Sequence, residues 1–257
     1  MMKISVVIIT FNEEQNIRQC LESVQAVADE IVVVDSFSTD KTEAICREFN
    51  IRFIQNPFKG HIEQKNFAAS QAVHDHVLSL DADERLSDTL RDNILDIKKN
   101  GKADGYAFNR LNNYCGTFIY HGAWYPDRKL RLWDKRKGQW GGVNPHDQVI
   151  MKPGASTLFV KGNLLHYTYR SPAEHIQQMN KFSDIAAREA FRKGKRTYTV
   201  LHLVLYPVFT FFKSYFLKLG FLDGYYGYVV ATHAAYYRFL KYFKLRSLWT
   251  QAQSSKG

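Results

Sequence analysis

The sequence predicts an α/β protein with a mainly parallel sheet flanked by helices, followed by a helical, basic and aromatic C-terminal extension. Three observations predict it. Short β-branched runs alternate with helical patterns over residues 1–100. An acidic tripeptide, Asp81-Ala82-Asp83, stands where the apolar run His76–Leu80 gives out. Charge is segregated: residues 1–100 carry a balance of −6 and residues 101–257 one of +16, for a net charge of +10. Strands separated by helices at this spacing imply right-handed crossovers, and hence a parallel sheet.

The elements follow in order. Lys3–Thr10 holds Ile4-Ser5-Val6-Val7-Ile8-Ile9, the run expected of a strand covered on both faces. Asn12 and Gln15 make a capping pattern for a helix to about Val24. Glu30–Asp35 is a second buried strand. Asp40 and Glu43 repeat the capping pattern and open a helix to about Phe49. Ile51–Gln55 reads as a strand, Ile62–Val73 as a helix, and His76–Leu80 as the strand that ends at Asp81. Ser87 opens a helix that Lys98-Lys99-Asn100-Gly101 closes. Beyond Gly105, shorter strands are expected at Tyr106–Leu111, Lys129–Trp133, Val143–Ile150 and Leu164–Tyr169. Ser171-Pro172-Ala173-Glu174 combines a cap, proline at the first position and glutamate at the third. Its helix should reach Lys193, with Ile176, Met179, Phe182 and Ala186 as the buried stripe. Two further helices are expected near Tyr198–Leu219 and Gly224–Leu245, with Gln251–Gly257 frayed.

Several function classes drop out. No Gly-x-Gly-x-x-Gly follows the first strand and no Gly-Lys-Ser/Thr loop occurs, which excludes the ordinary dinucleotide and P-loop sites. The basic charge comes without a nucleic-acid-binding motif, so no nucleic-acid partner is expected. Cys20, Cys46 and Cys115 are odd in number and lack CxxC spacing, and read as buried free thiols of a reducing compartment. Met1-Met2-Lys3 leads straight into a strand without a signal-peptide pattern, so the chain reads as cytosolic.

The chemistry gathers at strand ends. Residues two apart on an extended chain point the same way. Asp81 and Asp83 are therefore aimed together at the carboxyl edge, where open α/β sheets bind ligands. A hard divalent cation takes oxygen ligands and keeps places for phosphate oxygens. Three more polar clusters fall at the same edge: Thr10–Glu14, Asp35–Asp40 and Gln64-Lys65-Asn66. Asp35 suits a base or ribose hydroxyl, Lys65 a phosphate, and Asp83 a metal between phosphates. The plainer readings are solvated loop acids for Asp81 and Asp83, a turn cap with Ser36 and Ser38 for Asp35, and an exposed helix lysine for Lys65.

Ser5–Glu13, Ile31–Ser36 and Asp81-Ala82-Asp83 together resemble the family 2 inverting glycosyltransferases of GT-A fold, over residues 3–170. Lys65–Ala69, Asp81–Glu84, Tyr125–Leu132 and Phe221–Gly224 make the chain most similar to the lipopolysaccharide core β-glucosyltransferases. The resemblance implies that Thr10, Asn12, Glu13, Asp35 and Lys65 line the nucleotide site. Asp81 would meet the ribose or the metal's water shell, and Asp83 would bind Mg²⁺ or Mn²⁺ directly. His166 would add a metal or phosphate ligand. Lys65, Arg128 or Arg131 would neutralise the departing diphosphate. The base would be Asp147 in Asn144-Pro145-His146-Asp147, where related enzymes often carry glutamate. Trp124 and Tyr125 read equally as an acceptor platform or as core, and His121 and His146 as structural. Residues 1–100 would then be the nucleotide and metal half of a 1–170 domain, 101–170 its acceptor half, and 171–257 a helical region.

That last region has its own signal. Tyr198–Phe212 contains no charged residue but falls short of the ~20 apolar residues a membrane span needs, and Pro207 interrupts it. Fifteen aromatics lie between Tyr206 and Phe243, interleaved with lysine and arginine. This suits an interfacial helix pair on anionic lipid; the plainer alternative is a helical subdomain packed on the sheet. The expectation is a peripheral enzyme on the cytoplasmic face of a bacterial inner membrane. It would move a sugar, glucose from UDP-glucose by preference, to an inner-core heptose of a lipopolysaccharide precursor. The alternatives are another nucleotide sugar or another membrane-linked glycan, a sugar-nucleotide nucleotidyltransferase, or a non-catalytic nucleotide-sugar-binding protein. A nucleotidyltransferase needs a glycine- and basic-rich loop after the first strand, and Thr10–Gln15 has neither glycine nor lysine. The intact acids argue against the binding protein.

Overall fold

A computed structural model describes residues 1–143 and 146–254, with Val143 and His146 described by backbone alone. The chain divides into two units: residues 1–110 with 127–166, and residues 111–126 with 167 onward.

In the first unit β1 (Ile4–Thr10) lies between β2 (Glu30–Asp35) and β4 (His76–Asp81), both parallel to it, with β3 (Arg52–Gln55) outside β2. The side chains of β1 are apolar on both faces because both are covered. Ile4, Val6 and Ile8 pack with α1 (Ile17–Val24) and α4 (Asp88–Asn100), while Val7 packs with the alanines of α3 (His61–Gln71). The order β3-β2-β1-β4 continues as β8-β6-β11-β5, with β8 antiparallel to both β4 and β6, and β5 antiparallel to β11. These are β5 (Glu84–Leu86), β6 (Gly105–Tyr114), β8 (Asp127–Asp134) and β11 (Thr157–Tyr169). From β1 the chain builds outward to β3, then returns to β4 on the other side of β1. This reversal makes the β1/β4 edge a switch point, the place where such sheets bind ligands.

Several expected boundaries move. Asn12 does not cap α1; it adopts a left-handed φ of 53°. Its Oδ1 instead accepts from the Thr39 amide at 2.8 Å and ties two strand-end loops together. The second helix, α2, is only Thr42–Cys46. Val143–Ile150 is not one strand: β9 (Gly138–Val143) and β10 (His146–Met151) form a hairpin. Gly142, opposite Asp147, has φ +103°, a conformation open to glycine at little cost. Asn144 and Pro145 lie outside the described residues.

In the second unit β7 (Thr117–Phe118) pairs with the end of β6. Helix α5 (Pro172–Arg192) starts as expected, with Ser171 Oγ accepting from the Glu174 amide at 3.2 Å. Its buried stripe, however, is His175, Met179, Ser183, Ala187 and Ala190, and Ile176 is 49% exposed. The small residues of this face allow close approach of α7 (Gly224–Ser254), whose Lys244 bonds Ser183 Oγ at 2.8 Å. Helix α7 continues past Leu245, so Gln251–Ser254 are helical rather than frayed; residues 255–257 lie outside the described residues. Between these helices, α6 (Tyr206–Phe212) is flanked by two wider, π-helical segments, Thr199–Leu205 and Lys213–Leu217. Trp124 belongs to a buried aromatic cluster, its ring 5.6 Å from Tyr114 and 5.4 Å from His175, so packing accounts for it. His121 is held by Asp223, with Nδ1 2.9 Å from Oδ1. Cys20 and Cys46 are buried free thiols, whereas Cys115 is half-buried.

Candidate active site

Register brings the strand-end clusters together. Thr10 stands opposite Asp35, and Ile9 opposite Asp81, so three strands end at one level. Asp35 is fully buried and spends its carboxylate on the next turn, accepting from Ser38 N at 2.8 Å and Ser38 Oγ at 2.5 Å. The turn-capping reading of Asp35 is thus realised through Ser38. Glu13 is fixed by its own amide on Thr42 Oγ1 (2.8 Å) and by Asn16 Nδ2 on its carboxylate (2.8 Å). Thr10 is buried, and its Oγ1 has no hydrogen-bond partner among the described residues.

Lys65 is not an exposed helix lysine. The buried face of α3 is Gln64, Lys65, Ala68 and Ala69. One turn of that face packs alanines on the sheet; the preceding turn carries Gln64 and Lys65 over the strand ends. Lys65 is 3% exposed, and its Nζ lies 3.0 Å from Asp81 Oδ1 and 2.8 Å from Asp147 Oδ2. A buried ammonium needs such partners, since an unpaired one would cost far more than packing returns. Lys65 therefore links the β4 acid to the β10 acid.

Arg131, on β8, is the second buried cation. Its Nη2 donates to Glu84 Oε1 at 2.7 Å and to Asp81 Oδ2 at 3.3 Å. Burial alone would raise the pKa of Asp81, but the charges of Lys65 and Arg131 outweigh it and hold the carboxyl well below the usual range. Glu84 is fully buried and also accepts from the Asp81 amide at 3.0 Å, which fixes the turn carrying both aspartates. Arg128 stands elsewhere, its guanidinium 4.6 Å from the Phe159 ring centroid.

Asp83 lies on the other side of that turn. His166 of β11, opposite Glu84 in register, places Nε2 3.2 Å from Asp83 Oδ2. A divalent cation fits these residues in two respects. Asp83 and His166 bring a carboxylate and an imidazole, both metal-ligand types, within one contact distance. The buried cations Lys65 and Arg131 are engaged by Asp81, Glu84 and Asp147, with Arg110 3.8 Å from Glu84, whereas the Asp83 carboxylate faces His166. Among the described residues no group of three His, Cys, Asp or Glu forms a cage. A divalent cation at Asp83 and His166 would take its remaining ligands from phosphate oxygens and water. Asp81, already engaged by two cations, is the least available of the three residues expected to serve the metal.

Two residues of this site carried no role in the sequence reading. Glu84 was visible as the acid after Asp83, but its burial depends on Arg131, 47 residues away. Trp140 of β9 lies against both cations, its ring centroid 4.5 Å from Lys65 Nζ and 5.2 Å from Arg131 Cζ.

The model of glycosyl transferase family 2 matches residues 5–158. The chain is a family 2 glycosyltransferase. An uncharacterized glycosyltransferase of Rickettsia typhi is 31% identical to it over 96% of this chain and 88% of the relative. The lipopolysaccharide core biosynthesis glycosyltransferase LpsC of Rhizobium meliloti is 31% identical over 92% and 89% respectively. The mannosyltransferase PcManGT of Pyrobaculum calidifontis, solved with GDP-Man and Mn²⁺, aligns with a TM-score of 0.53 at 18% identity, over 97% of this chain and 88% of that one. The glycosyltransferase thus has the GT-A fold, a mixed sheet with flanking helices, followed by further helices at its C-terminus.

Proposed function

We propose that this glycosyltransferase moves glucose from UDP-glucose, with inversion, to an inner-core heptose of a lipopolysaccharide precursor at a membrane surface. One observation carries the reading: Lys65 joins Asp81, beside the metal-type pair Asp83 and His166, to Asp147. A leaving-group site and a candidate base are thus held in one charge network. The name of LpsC supports the class of acceptor.

In this mechanism Thr10, Asn12, Glu13 and Asp35 line the nucleotide end. Lys65 and Arg131 face the diphosphate and offset the charge it gains as the anomeric C–O bond breaks. Asp147 takes the acceptor hydroxyl proton as that oxygen bonds the opposite face of the anomeric carbon, a contribution of about 10²–10⁴ in rate. Asp83 and His166 would hold Mg²⁺ or Mn²⁺, with Asp81 toward its water shell. Such an ion supplies Lewis-acid stabilisation of the departing diphosphate. No second acid is needed, because a diphosphate leaves without protonation by the protein.

The second unit supports membrane attachment. Thr199–Leu217 spans 19 residues with a mean hydropathy of 1.5, and only 11% of its most apolar window is buried. Val204, Val208, Phe209, Phe212 and Phe216 are all exposed. An apolar face of this extent is unusual on a soluble surface. Lys213 and Lys218, among the aromatics, suit a helix lying in the headgroup layer of anionic lipid.

The test is a panel of nucleotide sugars offered with purified heptose-terminated acceptors, read by product mass. A hexose adduct from UDP-glucose, formed only with a divalent cation, is expected. Adducts only from another donor, or pyrophosphate release from a nucleoside triphosphate, would overturn the reading.

A further inference from the structure

We propose that Trp140 is a positioning residue of the transfer reaction: its buried indole is the common surface against which Lys65 and Arg131 rest, and it thereby sets where both cations meet the donor diphosphate. The inference rests on the proposed diphosphate role of those two cations.

The geometry is specific. Trp140 is 4% exposed, with Lys65 Nζ 4.5 Å and Arg131 Cζ 5.2 Å from its ring centroid. An indole face attracts cations through its quadrupole, most strongly where water is excluded. Here two like charges share one ring while Asp81 bridges them from the other side, through Lys65 at 3.0 Å and Arg131 at 3.3 Å. Ring and carboxylate together hold two mutually repelling groups.

Trp140 is itself held from helix α3. The Asn66 carboxamide grips its backbone at both ends: Trp140 N donates to Oδ1 at 3.0 Å, and Nδ2 donates to Trp140 O at 2.9 Å. Adjacent residues of α3 thus divide the work, Asn66 fixing the β9 backbone and Lys65 lying on the ring. A contrast with its neighbour shows which part of the indole matters. Buried tryptophan usually finds an acceptor for its N–H. Trp133 does so, donating to Gly138 O at 3.0 Å, and meets Trp140 edge-to-face at 6.0 Å. Trp140 Nε1 has no hydrogen-bond partner among the described residues. Its polar contacts are made by the face of the ring. Trp140 also packs with Val7, Val34 and Val77, so a test must separate ring electrostatics from bulk.

Fluorination does this, because it draws electron density from the ring face with little change in volume. Tryptophans carrying one to four fluorines would be placed at position 140 by site-specific incorporation in the full chain. UDP affinity would be read by calorimetry, and donor KM and kcat from product formation. Affinity and kcat/KM should fall stepwise with fluorine number, to about tenfold at the end of the series, while the β1 and β4 amides stay protected from hydrogen exchange. Trp140→Phe should keep activity within about threefold and Trp140→Leu lose about tenfold or more. A flat fluorine series, in enzyme that binds UDP normally, would overturn the positioning role and leave the transferase reading standing. Absence of UDP binding by the unsubstituted enzyme would instead remove the transferase reading on which the proposal rests.

Discussion

Replacing Glu84 by glutamine keeps shape and removes one charge from the buried network. Glu84 and Arg131 are 0% and 3% exposed and meet at 2.7 Å, so solvent screens their interaction little. A hydrogen bond between such charged groups contributes about 1.5–3 kcal/mol. Glutamine can still accept from the Asp81 amide, which Glu84 meets at 3.0 Å, so Glu84→Gln should cost about that amount. Glu84→Ala removes both contacts and the 3.8 Å approach of Arg110, and leaves Arg131 to Asp81 alone, at a cost of about 3–5 kcal/mol. Because the chain has two units, one melting temperature does not isolate the effect. Hydrogen exchange of the β1 and β4 amides reports the first unit directly. A double-mutant cycle with Arg131→Met should give a coupling above about 1.5 kcal/mol. A cost below about 0.5 kcal/mol for Glu84→Gln, with no coupling, would refute the claim that Glu84 anchors Arg131.

Other outcomes follow from the same structure. Lys65→Met should lower transfer by about 10²-fold or more, since it removes a proposed diphosphate partner and the tie to Asp147; wild-type kcat/KM would contradict this. Burial, reinforced by His233, lowers the pKa of His175 to about 4. The unfolded histidine titrates near 6.5, so the second unit should be fully stable above that pH and lose stability down to about pH 4. His175→Phe should flatten this fall, seen by α5 and α7 amide exchange between pH 4 and 7. Lys137, then Ser156, depress Asp104 to about 2. Its contribution should persist above about pH 4 and fade toward pH 2, and Asp104→Asn should remove that step from acid unfolding curves. Phe209→Ser with Phe212→Ser should abolish co-sedimentation with anionic vesicles while leaving UDP binding intact; unchanged sedimentation would contradict the membrane contact.

The parallel core was legible because its signals are local. β-Branched runs and strand-end acids fixed β1, β2 and β4 within a residue, and Ser87 and Ser171 cap helices as their side chains suggest. What failed was decided by distant partners. Asn12 looks like a cap in isolation, but Ser38 and Thr39, from the loop after β2, claim it. The stripe of α5 was read from hydrophobicity, whereas close packing selected serine and alanine. The β9–β10 hairpin was hidden by a glycine-rich stretch with no alternation. For the same reason Trp140 carried no local sign of two cations, one on α3 and one on β8.

The central claim is that the acids at the end of β4 serve transfer through a divalent cation held at Asp83. The most direct measurement is the transfer rate of Asp83→Ala relative to wild type, with UDP-glucose and heptose-terminated acceptor at saturating Mn²⁺, checked for folding by exchange of the β1 amides. The account predicts a fall of at least about 10²-fold in kcat. Transfer at the wild-type rate by a folded Asp83→Ala protein would contradict it.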